Sequence, residues 1–273
     1  MDPVIARDTP SGDNPAMPDA TFEIPVEDPK TAVVAAKFAD RLEICRALDR
    51  DGLTPSPTLV VRIREAIEIA GIPAPRLATL FQERPPPPDR RRCEADIFRI
   101  EAGSMRRLET IVPEYASLGV ETVVVGFLDS KAEIDFEACA EAVEIHRTHG
   151  LETAFHRAFD FTPDPAEALS GLSRAGVCRT LSAGVRGFEI GGVPEAIRIE
   201  RLRSLAVLGC SLDPPVEVVP CGGIRSRNAR GFLEAAGHLH ASCRAPAEQG
   251  REAMFDRREA AGLRGLVHGD ARA

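Results

Sequence analysis

The stretch "LETAFHRAFDFTPDPAEALSGLSRAG" (151–176) contains one complete structural unit. Leu151, Ala154, Phe155, Ala158 and Phe159 supply the apolar pattern of a buried strand. Asp164, Pro165 and Glu167 then form a capping-box start for a helix that runs toward Gly176. Between strand and helix stand His156, Arg157 and Asp160. Three ionisable groups in an apolar run cost several kcal/mol unless each finds a partner or water. Their place at the strand-to-helix junction calls for an explanation.

The same strand-turn-helix unit recurs along the chain. "TFEIPV" (21–26) precedes a helix that Asp28 caps and Pro29 begins. "DRLEIC" (40–45) precedes "SPTLVVRIREAIEIAG" (56–71), where Leu59, Val60, Ile63, Ala66, Ile67 and Ala70 make one helical stripe. "RLATLF" (76–81), "ETVVVGF" (121–127), "CRTLSAG" (178–184) and "VEVVPCGG" (216–223) each lead to a helical pattern, and "HLHAS" (238–242) leads to a polar tail with a last helix. Eight βα units predict a single (β/α)8 TIM barrel with a parallel sheet over residues 21–243, interrupted by a long Pro- and Arg-rich excursion at 82–103. Residues 1–20, rich in Pro, Asp and Gly without periodicity, read as a disordered tail, and 244–273 as a C-terminal tail. No G-x-G-x-x-G follows the first strand, which weakens a dinucleotide-binding reading.

Composition removes several function classes. The net charge is −8, from 34 basic and 42 acidic residues, the opposite of a nucleic-acid-binding surface. No apolar run approaches the roughly 18 residues of a membrane span, and the first twenty residues lack the basic and apolar regions of a secretory signal, so a cytoplasmic protein is expected. Seven cysteines without a C-x-x-C argue against a disulfide framework or a closed zinc site. The only lysines, Lys30, Lys37 and Lys131, fall on the first helix and in a loop, which argues against a Schiff-base mechanism. A homo-oligomer is compatible with the sequence.

In a TIM barrel the functional face is the C-terminal end of the strands. His156, Arg157 and Asp160 fall there. So do Glu23, Glu43, Cys45, Ser182, the Gly222-Gly223 pair, His240 and Ser242. Each alone has a structural reading: Arg41 and Glu43 alternate onto one face and could form an internal salt bridge, a lone barrel histidine is often a packed core residue, and a Gly pair also serves a simple turn. Together they predict one site for a small molecule or metal in the barrel mouth, because every buried charge carries its own cost. Glu23 or Glu43 would act as a base, His156 as acid/base partner and Arg157 as electrostatic stabiliser, with Asp160 among them. Ser182, Gly222, Gly223, His240 and Ser242 would bind the ligand, the glycines by offering backbone N–H groups to a phosphate.

Taken in order, "FEI" (22–24), "DRLEIC" (40–45), "DGLTPS" (51–56), "FHRAFD" (155–160), "LSAG" (181–184), "PCGGI" (220–224) and "HAS" (240–242) resemble the CutC copper-homeostasis family. The resemblance implies a TIM barrel, a cytoplasmic location and an association with copper handling. Two departures stand out. The family's first-strand "FEIC" is "FEIP" here, so Pro25 replaces one of two cysteines proposed as Cu(I) ligands and Cys45 remains alone as a metal ligand. Cu(I) favours soft thiolates, so weak copper binding is expected unless Cys243, beyond the eighth strand, approaches Cys45. The family's "IRPRGGDF" segment is replaced by "LFQERPPPPDRRRCEADIF" (80–98), leaving a mouth arginine without a counterpart unless Arg84 supplies it. Four functions therefore compete: copper binding, an acid/base enzyme acting on a small metabolite, phosphorylated or not, a non-catalytic barrel descendant and, last, nucleic-acid processing.

Overall fold

The structure, a computed structural model, describes residues 20–245 and 254–269. The disordered tail expected at 1–20 lies outside the described residues except for Ala20. Eight strands, β1 (Thr21–Val26), β2 (Arg41–Ile44), β3 (Arg76–Leu80), β4 (Thr122–Val125), β5 (Glu152–Phe155), β6 (Arg179–Ser182), β7 (Glu217–Pro220) and β8 (His238–His240), alternate with eight helices. These are α1 (Pro29–Ala35), α2 (Pro57–Ile69), α3 (Ser104–Ser117), α4 (Phe136–Thr148), α5 (Pro165–Ala175), α6 (Glu195–Ser211), α7 (Ala229–Ala236) and α8 (Arg257–His268). Every paired strand is parallel, in the order β7-β6-β5-β4-β3-β2-β1-β8. β7 and β8 lie side by side at the remaining seam, so the sheet curls into a TIM barrel closed in outline.

Local chemistry sets the unit boundaries. Asp28, Ser56, Asp135, Asp164 and Asp256 each accept backbone N–H groups at the start of α1, α2, α4, α5 and α8. Proline in the first turn of α1, α2 and α5 removes a donor that has no partner there anyway. Gly176 ends α5 in the left-handed conformation that completes such a cap.

Strand alternation divides the side chains between two environments. Phe22, Ile24, Val26, Leu42 and Ile44 face outward into the main core beneath the helices. The barrel interior holds a small group around Cys45, Ala78, Leu80, Val124 and Ala154, and another around Leu181, Val219 and Cys221. Charged residues share that interior. Arg41 of β2 reaches Thr122 of β4, and Arg179 of β6 reaches Thr21 of β1, contacts that cross the barrel.

Residues 82–103 run between β3 and α3 with two short 3-10 turns, Arg90–Arg92 and Ala95–Phe98. The second turn brings Phe98 into contact with the rings of His156, Phe161 and Phe188. The excursion thus folds over the C-terminal face of the barrel.

Candidate functional site

His156 follows directly on β5 and caps the 3-10 turn Arg157–Phe161. Its Nδ1 accepts the backbone N–H of Ala158 at 3.0 Å. An imidazole that accepts at Nδ1 carries its proton on Nε2 when neutral. Burial holds it neutral, lowering its pKa to about 3, and its Nε2 is buried without a hydrogen-bond partner. The ring packs 5.3 Å from that of Phe98.

Arg157 is held from two sides. Its Nε donates to Asp160 Oδ2 and its Nη2 to the Gly187 carbonyl, both at 3.0 Å, and the guanidinium lies 4.8 Å over the Phe188 ring. Asp160 in turn accepts from Ser182 Oγ at 2.7 Å and from the Ala183 N–H at 3.0 Å. Burial pushes the Asp160 carboxyl up, a push that Arg157 and Ser182 oppose. Asp160 and Ser182 therefore act as the mounting of Arg157. Both border a separate cavity of about 520 Å³, shared with Pro165 and Leu205.

The second group comes from adjacent strands. Glu23 of β1 stands in register with Arg41 of β2 and His240 of β8. Its Oε2 accepts Arg41 Nε at 2.9 Å, and its Oε1 lies 2.7 Å from His240 Nδ1. Burial alone would raise the Glu23 pKa, but the His240 hydrogen bond and the Arg41 charge overcome it and keep the carboxylate ionised. Burial likewise disfavours the charged His240, which the Glu23 hydrogen bond and Glu43 more than offset. Glu43 makes no bridge to Arg41, whose partners are Glu23 and Thr122. Its Oε2 is buried, has no hydrogen-bond partner and lies 3.9 Å from His240 Nδ1. Burial raises the Glu43 pKa to about 7.

These groups meet at two adjoining cavities in the barrel mouth. One of about 110 Å³ is lined by Glu43, Asp51, Gln82, Phe98, His156, Arg157, Phe188 and His240. The other, about 280 Å³, shares Glu43, Asp51, Arg157 and His240 with it and adds Pro25, Cys45, Cys221, Gly222, Gly223 and Ser242. Gly222 and Gly223 both have positive φ, 74° and 72°, a backbone course that glycine adopts without strain. Neither N–H has an acceptor among the described residues. Of the residues singled out in the sequence, Glu43, Cys45, His156, Arg157, Gly222, Gly223, His240 and Ser242 line the mouth. Glu23, Asp160 and Ser182 stand behind it as supports.

Asp51, Gln82, Phe98 and Phe188 were not foreseen. Asp51 had a readable signal, since it begins "DGLTPS" and adopts a left-handed φ of 69° just before Gly52, a geometry for which Asp-Gly is suited. Arg84 does not enter the mouth. Its guanidinium pairs with Glu101 and the carbonyls of Asp96 and Arg99, so it secures the excursion.

The residues present do not suit a thiolate copper site. Cys45 Sγ is buried in the barrel interior against Ala78 and Leu80, where burial raises its thiol pKa well above the ordinary value. Cys243 packs into the outer core under the helices. The cluster of potential metal ligands among the described residues is Glu23, Glu43 and His240, and it contains no sulfur.

The CutC family model matches residues 20–245. A CutC family protein of Xanthomonas campestris pv. campestris (strain 8004) is 29% identical over 210 residues, 76% of each chain. The human copper homeostasis protein cutC homolog is 30% identical over 245 residues, covering 88% of this chain and 80% of that protein. A CutC crystal structure from Streptococcus agalactiae superposes with a TM-score of 0.66 at 22% identity, over 82% of this chain and 98% of that one. The 3-dehydroquinate dehydratase of Geobacillus kaustophilus reaches a TM-score of 0.54 at 16% identity, over 93% of both chains, a likeness of fold alone.

Proposed function

The chain belongs to the CutC family, and from that premise we propose that its barrel mouth binds a small anionic metabolite and acts on it in the cytoplasm, with only weak binding of copper. The carrying observation is the anion-seeking side of the mouth. Arg157 is fixed by Asp160 and the Gly187 carbonyl, and it borders both cavities beside the unpaired N–H groups of Gly222 and Gly223. A preorganised guanidinium with backbone donors is a recurrent solution for phosphate or carboxylate recognition. Neutral His156 adds a buried Nε2–H donor without a partner. Such a donor beside a fixed positive charge suits chemistry in which negative charge develops on the ligand.

Copper homeostasis is the name carried by the human relative. In this chain the isolated and protonated Cys45 favours a weak Cu(I) interaction at most. A cytoplasmic location fits seven free cysteines, and no described helix is long and apolar enough to cross a membrane.

Inorganic phosphate is the simplest probe. It should raise the Tm and bind in isothermal titration, and Arg157→Met should abolish both effects while remaining folded by circular dichroism. Absence of any phosphate effect on the wild-type protein, or an equal effect on Arg157→Met, would remove this reading.

A further inference from the structure

The opposite wall of the mouth carries a separate message. Glu43 Oε2 is a buried carboxylate oxygen with no hydrogen-bond partner. Native proteins rarely leave such an atom orphaned, and each instance points to a missing ion, water or ligand. Glu43 is only 5% exposed and borders both mouth cavities. Beside it, Glu23 Oε1 and His240 Nδ1 lie 2.7 Å apart, and one donor atom from each of the three residues falls within 4.8 Å of the others.

We propose that Glu23, Glu43 and His240 form a binding site for a divalent first-row cation such as Zn²⁺, Co²⁺ or Mn²⁺, and that this site, rather than a cysteine site, is the metal centre of the protein. A metal with donor distances of about 2.0–2.2 Å spaces neighbouring donors by roughly 3–3.5 Å. The 2.7 and 3.9 Å separations from His240 Nδ1 bracket that range. At present the shared proton between Glu23 and His240 stands where a cation would stand. Displacing it requires small side-chain shifts and no movement of the strands, whose register already sets Glu23 beside His240.

The donor set is two carboxylates and one imidazole, which selects oxygen- and nitrogen-preferring divalent ions over Cu(I). Arg41 holds the other Glu23 oxygen at 2.9 Å, the kind of outer contact that orients a ligating carboxylate. Three protein ligands leave coordination positions open toward the cavities, the arrangement of a reactive metal site and not of a closed structural one. The unpartnered His156 Nε2, which is likewise buried and on the same mouth, marks an independent polar gap for whatever approaches the metal. The proposal goes beyond anion binding at Arg157 and can fail separately from it.

Chelator-stripped full-length protein is titrated with Co²⁺, followed by visible absorption, and with Zn²⁺ in competition with a chromophoric chelator. One equivalent is expected to bind. Glu43→Gln and His240→Gln should each weaken binding by about 100-fold or more, while Cys45→Ser keeps wild-type affinity. Phosphate stabilisation in the metal-free protein should persist in Glu43→Gln, which separates this site from the anion site. Circular dichroism checks each variant, and either substitution suffices if the other does not fold. Failure of the wild type to bind a divalent ion, binding unchanged in Glu43→Gln or His240→Gln, or binding lost in Cys45→Ser overturns the proposal.

Discussion

The ring of His156 occupies the space that a side chain on Gly126 would need, since a Cβ built there overlaps the imidazole. Gly126 has no positive φ, so its requirement is close approach alone. It lies just past β4, next to the strand that His156 follows. Gly126→Ala is therefore expected to expel the ring from its place and to destabilise the protein by about 1–3 kcal/mol, the usual cost of overpacking. Urea denaturation measures the loss. A crystal structure of the variant should show His156 displaced, and an unmoved ring with unchanged stability would contradict this packing.

Three buried histidines predict how stability responds to acid. Burial lowers the pKa of His146 and His156 to about 3 and that of His238 to about 4, from an ordinary value of 6.5. Between those values the unfolded chain takes up protons that the folded chain refuses. Stability must then fall as pH drops from about 6.5 toward 4, by up to about 1.4 kcal/mol per pH unit for each histidine. His146→Gln should flatten that slope by one histidine's share, because His146 Nδ1 has only Thr153 Oγ1 as partner and stands apart from the mouth. Urea midpoints measured from pH 7 to pH 4.5 provide the check. A slope identical in wild type and variant would contradict it.

Asp160 links the anion side of the mouth to β6. Replacing it with Asn keeps the shape but leaves Arg157, whose side chain is only 17% exposed, without its charge partner. Breaking a buried pair by removing one partner costs about 3–5 kcal/mol, with somewhat less expected here because the amide still bonds to part of the network. Asp160→Asn should lower the urea midpoint accordingly and weaken phosphate binding. Ser182→Ala, which removes only the 2.7 Å hydrogen bond to Asp160, should cost about 1–2 kcal/mol. The reverse ranking would show that Ser182, not the ion pair, holds this corner.

The barrel was legible because each strand and helix carries its own local signal. "TFEIPV" returns as β1, and at the "DPAE" start of α5 Asp164 accepts the Ala166 and Glu167 N–H groups, while the Glu167 side chain turns to Arg174. Partner choice inside the barrel was less legible. Arg41 and Glu43 share a strand face, yet Arg41 bonds to Glu23, because parallel register sets Glu23 and Arg41 side by side. Ser182 ends β6 as expected, but its hydroxyl turns to Asp160 and not to the mouth. The excursion was the least legible, since "RPPPPDRRR" has no periodicity to place Phe98 over His156. Sequence position located the mouth, and only three-dimensional register decided which residues face it.

Pro25 and Cys45 decide how the protein meets Cu(I). Both border the 280 Å³ cavity, and Pro25 stands in register with Glu43, two residues before Cys45 on the neighbouring strand. Cys45 is a packed thiol here: its Sγ lies near the Val26 carbonyl, and it is 1% exposed. Burial favours the neutral thiol, whereas Cu(I) needs thiolate, so a single such group gives a poor site. Wild-type protein should lose Cu(I) to a competing chelator, and Cys45→Ser should behave the same. Pro25→Cys should bring a second thiol to the same wall and tighten Cu(I) binding by more than about tenfold. It removes a proline from the β1–β2 pair without burying a new charge, so the fold is expected to survive. Tight stoichiometric Cu(I) binding by the wild type that vanishes in Cys45→Ser would reverse the conclusion and make that lone thiol a true ligand.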